Sequence, residues 1–407
     1  MSTYNYRAVN DKGRTVRGIL EAKDEFEAKA KLQDRGLLPV KISQLPDYAD
    51  SILKIFRRKP DIKSITVFCR QLAIITSSGV NILRGLEILK KQISNKKMKS
   101  IVSRIYEDVQ KGNSLSEAMA GDDMMLPPLL VNMISVGEVS GNLDEVLEQM
   151  TSFYERESFL KEKVKTAMTY PLILTAMAVL ILILFIYVVF PQILSVINET
   201  GGELPGLTVA VLGFVGFLRK YFLFVLLLVL CLIGAVKIFV PENEFNLVKD
   251  KLFIRIPIVG INIRNVVTAR FMRSMWLLTK GGIPLLLALE TVEKAIANEI
   301  VRQGIREARE NIKKGEILGD SLASCNFFDP MAVNMINVGE ETGEMEYILE
   351  TMADYYDKES EIGISRMMAM IEPMFTIIIG LLIGFLLVSM VLPLFNMVSG
   401  IGQIGDI

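Results

Sequence analysis

Hydrophobic side chains fall along this chain in two different rhythms. In one they recur at helical spacing. Phe68, Leu72 and Ile75 stand at i, i+4 and i+7, and Phe271, Met275 and Leu278 repeat the pattern. Leu143, Leu147, Met150 and Tyr154 form a second stripe, matched by Met345, Leu349, Met352 and Tyr356. Each is the apolar face of an amphipathic helix. In the other rhythm the periodicity gives way to unbroken apolar sequence. Nothing between Lys165 and Glu199 is charged, and residues 172–190 are almost wholly apolar. Residues 221–240 are interrupted only by Lys237, and after Glu372 the chain stays uncharged to Asp406, with 374–392 as its apolar body. Each run holds about 18–20 apolar residues, enough to cross a hydrocarbon layer about 30 Å thick as a helix. Three transmembrane helices are predicted, over 169–191, 220–240 and 372–395.

The opening reads differently. Tyr4 to Val9 and Thr15 to Ala22 alternate like strands around Asp11, Lys12 and Gly13. Residues 25–35 suit a short amphipathic helix ended by Gly36, and Leu38 to Ile42 a further strand. A small α+β domain is expected over 1–45, then a linker over 46–62. Within that linker Arg57, Arg58 and Lys59 suit anionic lipid or plain solvation equally.

The chain also repeats itself. At a displacement of 203, Phe68 meets Phe271, Arg70 meets Arg273, Gly79 meets Gly282, and Pro127 meets Pro330. One residue is then lost. At 202, Gly137 and Glu138 meet Gly339 and Glu340, Gly141 meets Gly343, Tyr154 meets Tyr356, and Pro171 meets Pro373. So many uncommon residue types in step mean a tandem duplication of a helical domain plus its following span. Each copy is expected to hold about six helices. Ser114 and Glu117 read as a capping box, Gly137 and Gly141 as the brackets of a turn, and Asn142 as a helix cap.

These elements give a mainly α integral membrane protein with three transmembrane helices. Two repeated cytosolic helical bundles, 63–168 and 241–371, join the small N-terminal α+β domain. Residues 1–20 carry Arg7, Asp11, Lys12, Arg14 and Arg17, so they do not read as a secretory signal and insertion is expected near residue 170. Lys161, Lys163 and Lys165 precede the first span, whereas Glu199 and Glu203 follow it. The positive-inside bias then puts the N-terminus in the cytosol. Arg219 and Lys220 run against the rule. The second span has no partner in the repeat and returns the chain to the cytosol. That leaves an extracytoplasmic loop at 192–219 and an extracytoplasmic tail at 396–407.

Composition narrows the chemistry. The 407 residues include 45 basic and 46 acidic side chains and no histidine, which excludes histidine-based catalysis and histidine-ligated metal. A net charge of −1 gives no overall signature for direct nucleic-acid binding. Cys69, Cys231 and Cys325 are scattered, form no metal or disulfide pattern, and are expected to be small buried thiols. No phosphate-binding glycine motif is present, and neither a cofactor, a metal nor a catalytic residue is expected. Acidic residues gather around Glu138, Asp144, Glu145 and Glu148 and again from Glu340 to Glu350. Their spacing fits helix-start electrostatics better than a divalent-cation loop.

No ionisable residue lies in the middle of any span, which disfavours an ion-coupled transporter. A repeat-built transporter remains the alternative. Gly380 and Gly384 form a G-x-x-x-G suited to close helix packing, within the bundle or between subunits. Residues 1–60 hold 13 basic and 8 acidic side chains, residues 61–165 hold 14 and 14, and residues 241–371 hold 15 and 20. Opposed charge of that size suits docking to partners or between subunits, or ordinary solvated surface.

Taken in order, these motifs resemble the type II secretion F-protein family, the inner-membrane platforms of bacterial type II secretion and type IV pilus machines. The resemblance runs over nearly the whole chain. It is carried by Tyr4, Tyr6 and Arg7 with Gly13 and Gly18, by Phe68 to Leu72 with Gly79, and by the G-E-x-[ST]-G element used at 137–141 and 339–343. Pro171 and Pro373 at the span starts, with Pro191 and Pro393 at their ends, also match. The resemblance implies a non-enzymatic, homo-oligomeric platform in the bacterial inner membrane. Its partners would be a cytosolic hexameric ATPase, pilin-like subunits and other inner-membrane assembly proteins, and the work would be pilus biogenesis or protein secretion.

Overall fold

The computed structural model describes residues 2–10, 15–22, 37–44, 60–121, 126–189 and 242–404, with a few single positions between them. The helix predicted at 25–35, most of the linker, the loop at 192–219 and the span predicted at 220–240 fall, apart from single positions, outside the described residues. The chain divides into two units, residues 1–61 and 62–407.

The first unit contains an antiparallel sheet of β1 (Ser2–Asn10), β2 (Thr15–Ala22) and β3 (Leu37–Gln44), ordered β2-β1-β3. Tyr6 lies opposite Gly18 on one side and Ile42 on the other. A register shift at Arg7/Ala8 bends β1 against β3. The third strand runs a residue earlier and two later than its apolar run predicts, because backbone pairing with β1 continues past the last apolar side chain.

The second unit is helical. Copy one comprises α1 (Ile62–Ser77), α2 (Ile82–Gln92), α3 (Lys96–Gln110), α4 (Leu115–Met119), α5 (Pro128–Ser140) and α6 (Leu143–Ala167). The first span begins with α7 (Thr169–Leu184) and closes on a π-helical turn at Phe185–Val189. After α8 (Glu242–Arg255), copy two comprises α9 (Pro257–Lys280), α10 (Leu285–Ala295), α11 (Glu299–Lys313), α12 (Leu318–Ala323), α13 (Pro330–Thr342) and α14 (Met345–Ile404). Helix boundaries recur at the displacements read from the sequence, with one correction. Pro128, not Pro127, opens α5 as Pro330 opens α13. The missing residue therefore lies between the fourth and fifth helices of the repeat, where no ladder fixes the count.

The bundles form because each apolar stripe finds its mate. In copy one α1 packs along α6, burying Phe68, Leu72, Leu147 and Met150, and in copy two α9 packs along α14, burying Phe271, Met275, Leu278 and Leu349. Each such side chain contributes about 1.5–3 kcal/mol. Cys69 is buried in the first core, and desolvation pushes its thiol far up, so it is inert there.

Three repeated glycine pairs stand at turns with positive φ, Gly112 and Gly315 among them. Gly79 and Gly282 follow the first helix of each copy at φ +73° and +74°. Gly141 and Gly343 end α5 and α13 at φ 76°. This left-handed region excludes most side chains. Gly137 corrects an expectation: it sits inside α5, not at the turn. A Cβ there would stand 3.0 Å from the Leu143 backbone, and one at Gly339 would stand 3.2 Å from that of Met345. Both positions are small so that consecutive helices can close on each other. Asn142 holds the cap position of α6, but its side chain makes no capping hydrogen bond; the capping box of Ser114 and Glu117 is present.

Each copy ends on a helix that does not stop at the bundle. α6 passes through the single turn residue Met168 into α7, so residues 143–189 run as one 47-residue rod, and α14 continues for 60 residues. Among the described residues these are the two helices long and apolar enough to cross a membrane. Leu172, Leu180, Ile377 and Leu381 point outward along them, as lipid-facing side chains must. Helices α8 and α9 meet at 117°, across extended Ile256 and Pro257. This is a corner, not a span: α8 carries Lys249, Asp250 and Lys251, and Asp250 accepts the Glu299 N–H at the start of α11.

Gly141→Ala is expected to cost about 1–2 kcal/mol, the price of a left-handed Cβ. Thermal unfolding of the detergent-solubilised chain should show it, with Gly141→Asn milder than Ala.

Candidate functional site

The G-E-x-[ST]-G element is the first place where repeated residues meet a definite task. In copy one the Glu138 carboxylate accepts the backbone N–H groups of Leu115 and Ser116, the latter at 2.9 Å. In copy two Glu340 accepts the Leu318 N–H at 2.6 Å. Each glutamate therefore caps the short fourth helix from the fifth. Its negative charge meets the positive end of that helix dipole. The acidic residues around it divide differently from the expectation: Asp144 and Glu145 do occupy the first turn of α6, whereas Glu138 and Glu340 serve a neighbouring helix. Among the described residues no group of three acidic or cysteine side chains is placed to hold a metal ion.

The repeated arginine of the first helix reaches the last helix of its own copy. Arg70 donates from Nε to Glu155 at 2.8 Å. Arg273 donates to Asp354 and, at 2.9 Å, to Asp357. Thr66 adds a bond to the Tyr154 carbonyl at 3.1 Å. The two long helices are thus pinned along their bundle halves by matched arginine contacts.

The copies then pack on each other through a polar seam. Copy one offers α5 and α6; copy two offers α9, α10 and part of α14. Asn132 on α5 donates to Thr291 on α10 at 2.7 Å. Arg270 on α9 grips Glu157 on α6 with two guanidinium bonds, the Nε one at 2.7 Å. Arg156 reaches Asp357 at 2.8 Å and Lys163 reaches Glu361 at 2.9 Å, both from α6 to α14. Burial opposes the charge of Arg270, yet the attraction and hydrogen bonds of Glu157 outweigh it, and its pKa lies above the ordinary arginine value. At Asp357 the balance is reversed: burial holds the carboxyl above its usual range despite the hydrogen bond from Arg273 and the nearby Arg156.

Along this seam lies a cleft of about 500 Å³, lined by Glu145, Glu148, Arg156, Arg270, Arg273 and Trp276 among others. Arg273 and Lys280 both lie over the Trp276 ring, at 5.3 and 5.2 Å. Its walls pair cations with carboxylates and offer no nucleophile with an activating base.

Sequence reasoning did not single out the seam residues Arg270, Glu157, Asn132, Thr291 and Asp357. A signal was present: at each of these positions except Asn132 and Glu157 the other copy carries a different residue, namely Val67, Ile88 and Glu155. Pro171 is buried near the start of α7, while Pro373 is exposed within the unbroken α14. A Cβ on Gly380 or Gly384 would meet nothing within 4 Å, so no described helix lies against that motif.

Comparison with known proteins completes the picture. The family model described as type II secretion system (T2SS), protein F, matches residues 68–191 and, a second time, residues 271–393. That described as type II secretion system protein F, N-terminal domain, matches residues 1–43. The chain is similar to the type IV pilus assembly protein PilC of Thermus thermophilus, 33% identical over 402 residues, covering 98% of this chain and 99% of that protein. PilC of Myxococcus xanthus is 31% identical over 396 residues, with 97% and 95% covered. The type II secretion system protein F of Xanthomonas campestris pv. campestris is 29% identical over 406 residues, with 99% and 100% covered.

Removing one partner of the seam pair leaves the other charge stranded. Glu157→Gln is expected to lower stability by roughly 2–3 kcal/mol, somewhat less than the roughly 3–5 of a fully buried pair because some solvent reaches it. Denaturation of the solubilised chain would show the loss, with Glu155→Gln at the exposed Arg70 pair costing under about 1 kcal/mol.

Proposed function

The chain belongs to the type II secretion system protein F family, and from that membership we propose that it is the inner-membrane platform of a type IV pilus or type II secretion machine. It couples a cytosolic hexameric assembly ATPase to the extraction and polymerisation of pilin-like subunits, for pilus biogenesis or protein secretion. The observation that carries this reading is that both copies of a doubled bundle run without a loop into an apolar, span-length helix. A force applied to either bundle acts directly on a rod that enters the membrane.

The platform crosses the membrane three times, with the middle crossing at 220–240. Its N-terminus and both bundles lie in the cytosol and its C-terminus outside. The odd number of crossings follows from the duplication, since two bundles on one side need a return span between their outward helices. Residues 1–45 form a small α+β domain that joins the bundles in meeting the ATPase and inner-membrane assembly proteins. The protein works as a homo-oligomer, and Gly380 and Gly384 supply a close-packing face for another transmembrane helix. Glycines 79, 137, 141, 282, 339 and 343 and the capping glutamates 138 and 340 shape the bundles, and none of these residues acts in catalysis. The family is a structural membrane platform and not a known enzyme. A transporter is not favoured, because residues 172–190 and 374–392 bring no ionisable group to the depth of the bilayer.

Two measurements test this. Alkaline phosphatase fused after residue 200 or after residue 407 should be active, and fused after residue 255 or 315 inactive; the reverse pattern would sink the topology. The intact chain should co-purify with the assembly ATPase encoded beside it, and removing residues 1–60 should weaken that capture. No capture by the intact chain, together with normal filaments or secretion in a deletion strain, would overturn the platform reading.

A further inference from the structure

The seam between the copies is one-sided. Copy one contributes its fifth and sixth helices, and copy two contributes mainly its first and second. Because the copies share one fold, each also possesses the surface that the other uses. Copy one has α1 and α2 where copy two employs α9 and α10. Copy two has α13 and α14 where copy one employs α5 and α6. Among the described residues these two surfaces are left open.

The exposure of matched residues shows how open they are. Ile74 on α1 is 60% exposed, while its counterpart Leu277 in the seam is 1% exposed. Met331 on α13 is 41% exposed, while its counterpart Leu129 is 1% exposed. Met331, Asn334 and Val338 stand at i, i+3 and i+7, all exposed, and continue onto exposed Tyr347 and Tyr355 of α14. Met331 and Val338 with Tyr347 and Tyr355 leave apolar surface on a solvated cytosolic face, which wants a partner.

Charge on the open surfaces is complementary in its own way, since Val67 stands where the seam has Arg270. Exposed Glu341, Glu344, Glu346 and Glu350 lie at the end of α13 and the start of α14. Exposed Lys63 lies on α1, with Arg70 there and Arg84 on α2, which also pair with Glu155 and Glu87 of their own copy.

We propose that a second copy of this chain fills the open half: the α13–α14 face of one protomer docks on the α1–α2 face of the next, repeating the internal seam head to tail. The contact is heterologous, so each addition leaves the same two faces free and the series continues until it closes into a ring. The rods leaving all bundles enter one membrane, which keeps successive protomers side by side. The inference rests on the self-assembly reading above and names the surfaces that make it.

The internal seam supplies the test. Val136 Cγ1 lies 3.3 Å from where a Cβ on Gly281 would stand. Their counterparts on the open faces are Val338 and Ser78, both exposed. Two differently tagged full-length chains, one carrying Ser78→Cys and the other Val338→Cys, are co-expressed and oxidised in native membranes. A mixed dimer is expected above the background of the unsubstituted chain. It should be absent with either variant alone, and lost when Ile74→Glu is added to the first chain. Mass photometry of the same purified protein separates the two readings at stake. An oligomer without the mixed dimer, or with equal self-cross-linking of either variant, overturns this docking and leaves self-assembly standing. A monomer overturns both.

Discussion

An α-helix in a membrane cannot fray, because the bilayer offers no partner for an unpaired backbone group. That stiffness is the constraint on which the rest of this molecule depends. The final helix runs for 60 residues, about 90 Å at about 1.5 Å per residue, and its N-terminal half is the wall of the second bundle. The sixth helix does the same for the first bundle, broken only at Met168. A bundle that shifts must therefore carry its span with it. Everything else, from the arginine pins to the glycine elbows, decides how firmly each bundle grips its rod.

The grip and the seam use different physics. Within a copy the first and last helices share an apolar stripe, and Arg70 or Arg273 only adds a polar latch at its edge. Between copies the apolar packing of Val136 on Gly281 is joined by ion pairs and one amide–hydroxyl bond. Apolar burial tolerates small displacements, since it depends on area and not direction. A buried guanidinium–carboxylate pair does not, because its desolvation is repaid only in good geometry. The bundles are thus held as robust bodies, and their mutual orientation is set by a few directional contacts.

Much of this was legible along the chain. The stripes from Phe68 and Phe271 placed the core helices, the doubled glycines placed the turns, and the absence of charge from 172 to 190 and from 374 to 392 placed two rods. Glu138 was legible as important only by its recurrence as Glu340. Its task was not, because the helix it caps begins 23 residues earlier in sequence and no local pattern links the two. Gly137 was misread for a related reason: a glycine beside a turn suggests backbone freedom, whereas here the requirement is space between two helices. The seam stayed hidden because it joins residues 113 or more positions apart, from Glu157 with Arg270 to Arg156 with Asp357, and each alone reads as a solvated polar side chain.

The duplication itself separates what folds the domain from what it does. Several positions where the copies agree, such as Gly141 with Gly343, Glu138 with Glu340, and Arg70 with Arg273, serve contacts inside one bundle, while the repeated Asn132 and Glu157 serve the seam. Positions where they differ include several on the surface through which the copies meet: Arg270 against Val67, Leu277 against Ile74, Thr291 against Ile88. Two identical domains would carry identical faces and could pair with themselves in several ways. Divergence at the faces selects one internal pairing and gives the leftover faces a chemistry of their own. A molecule whose two halves share a fold but present different surfaces can make directed contacts on each face, and it needs no reactive group to do so.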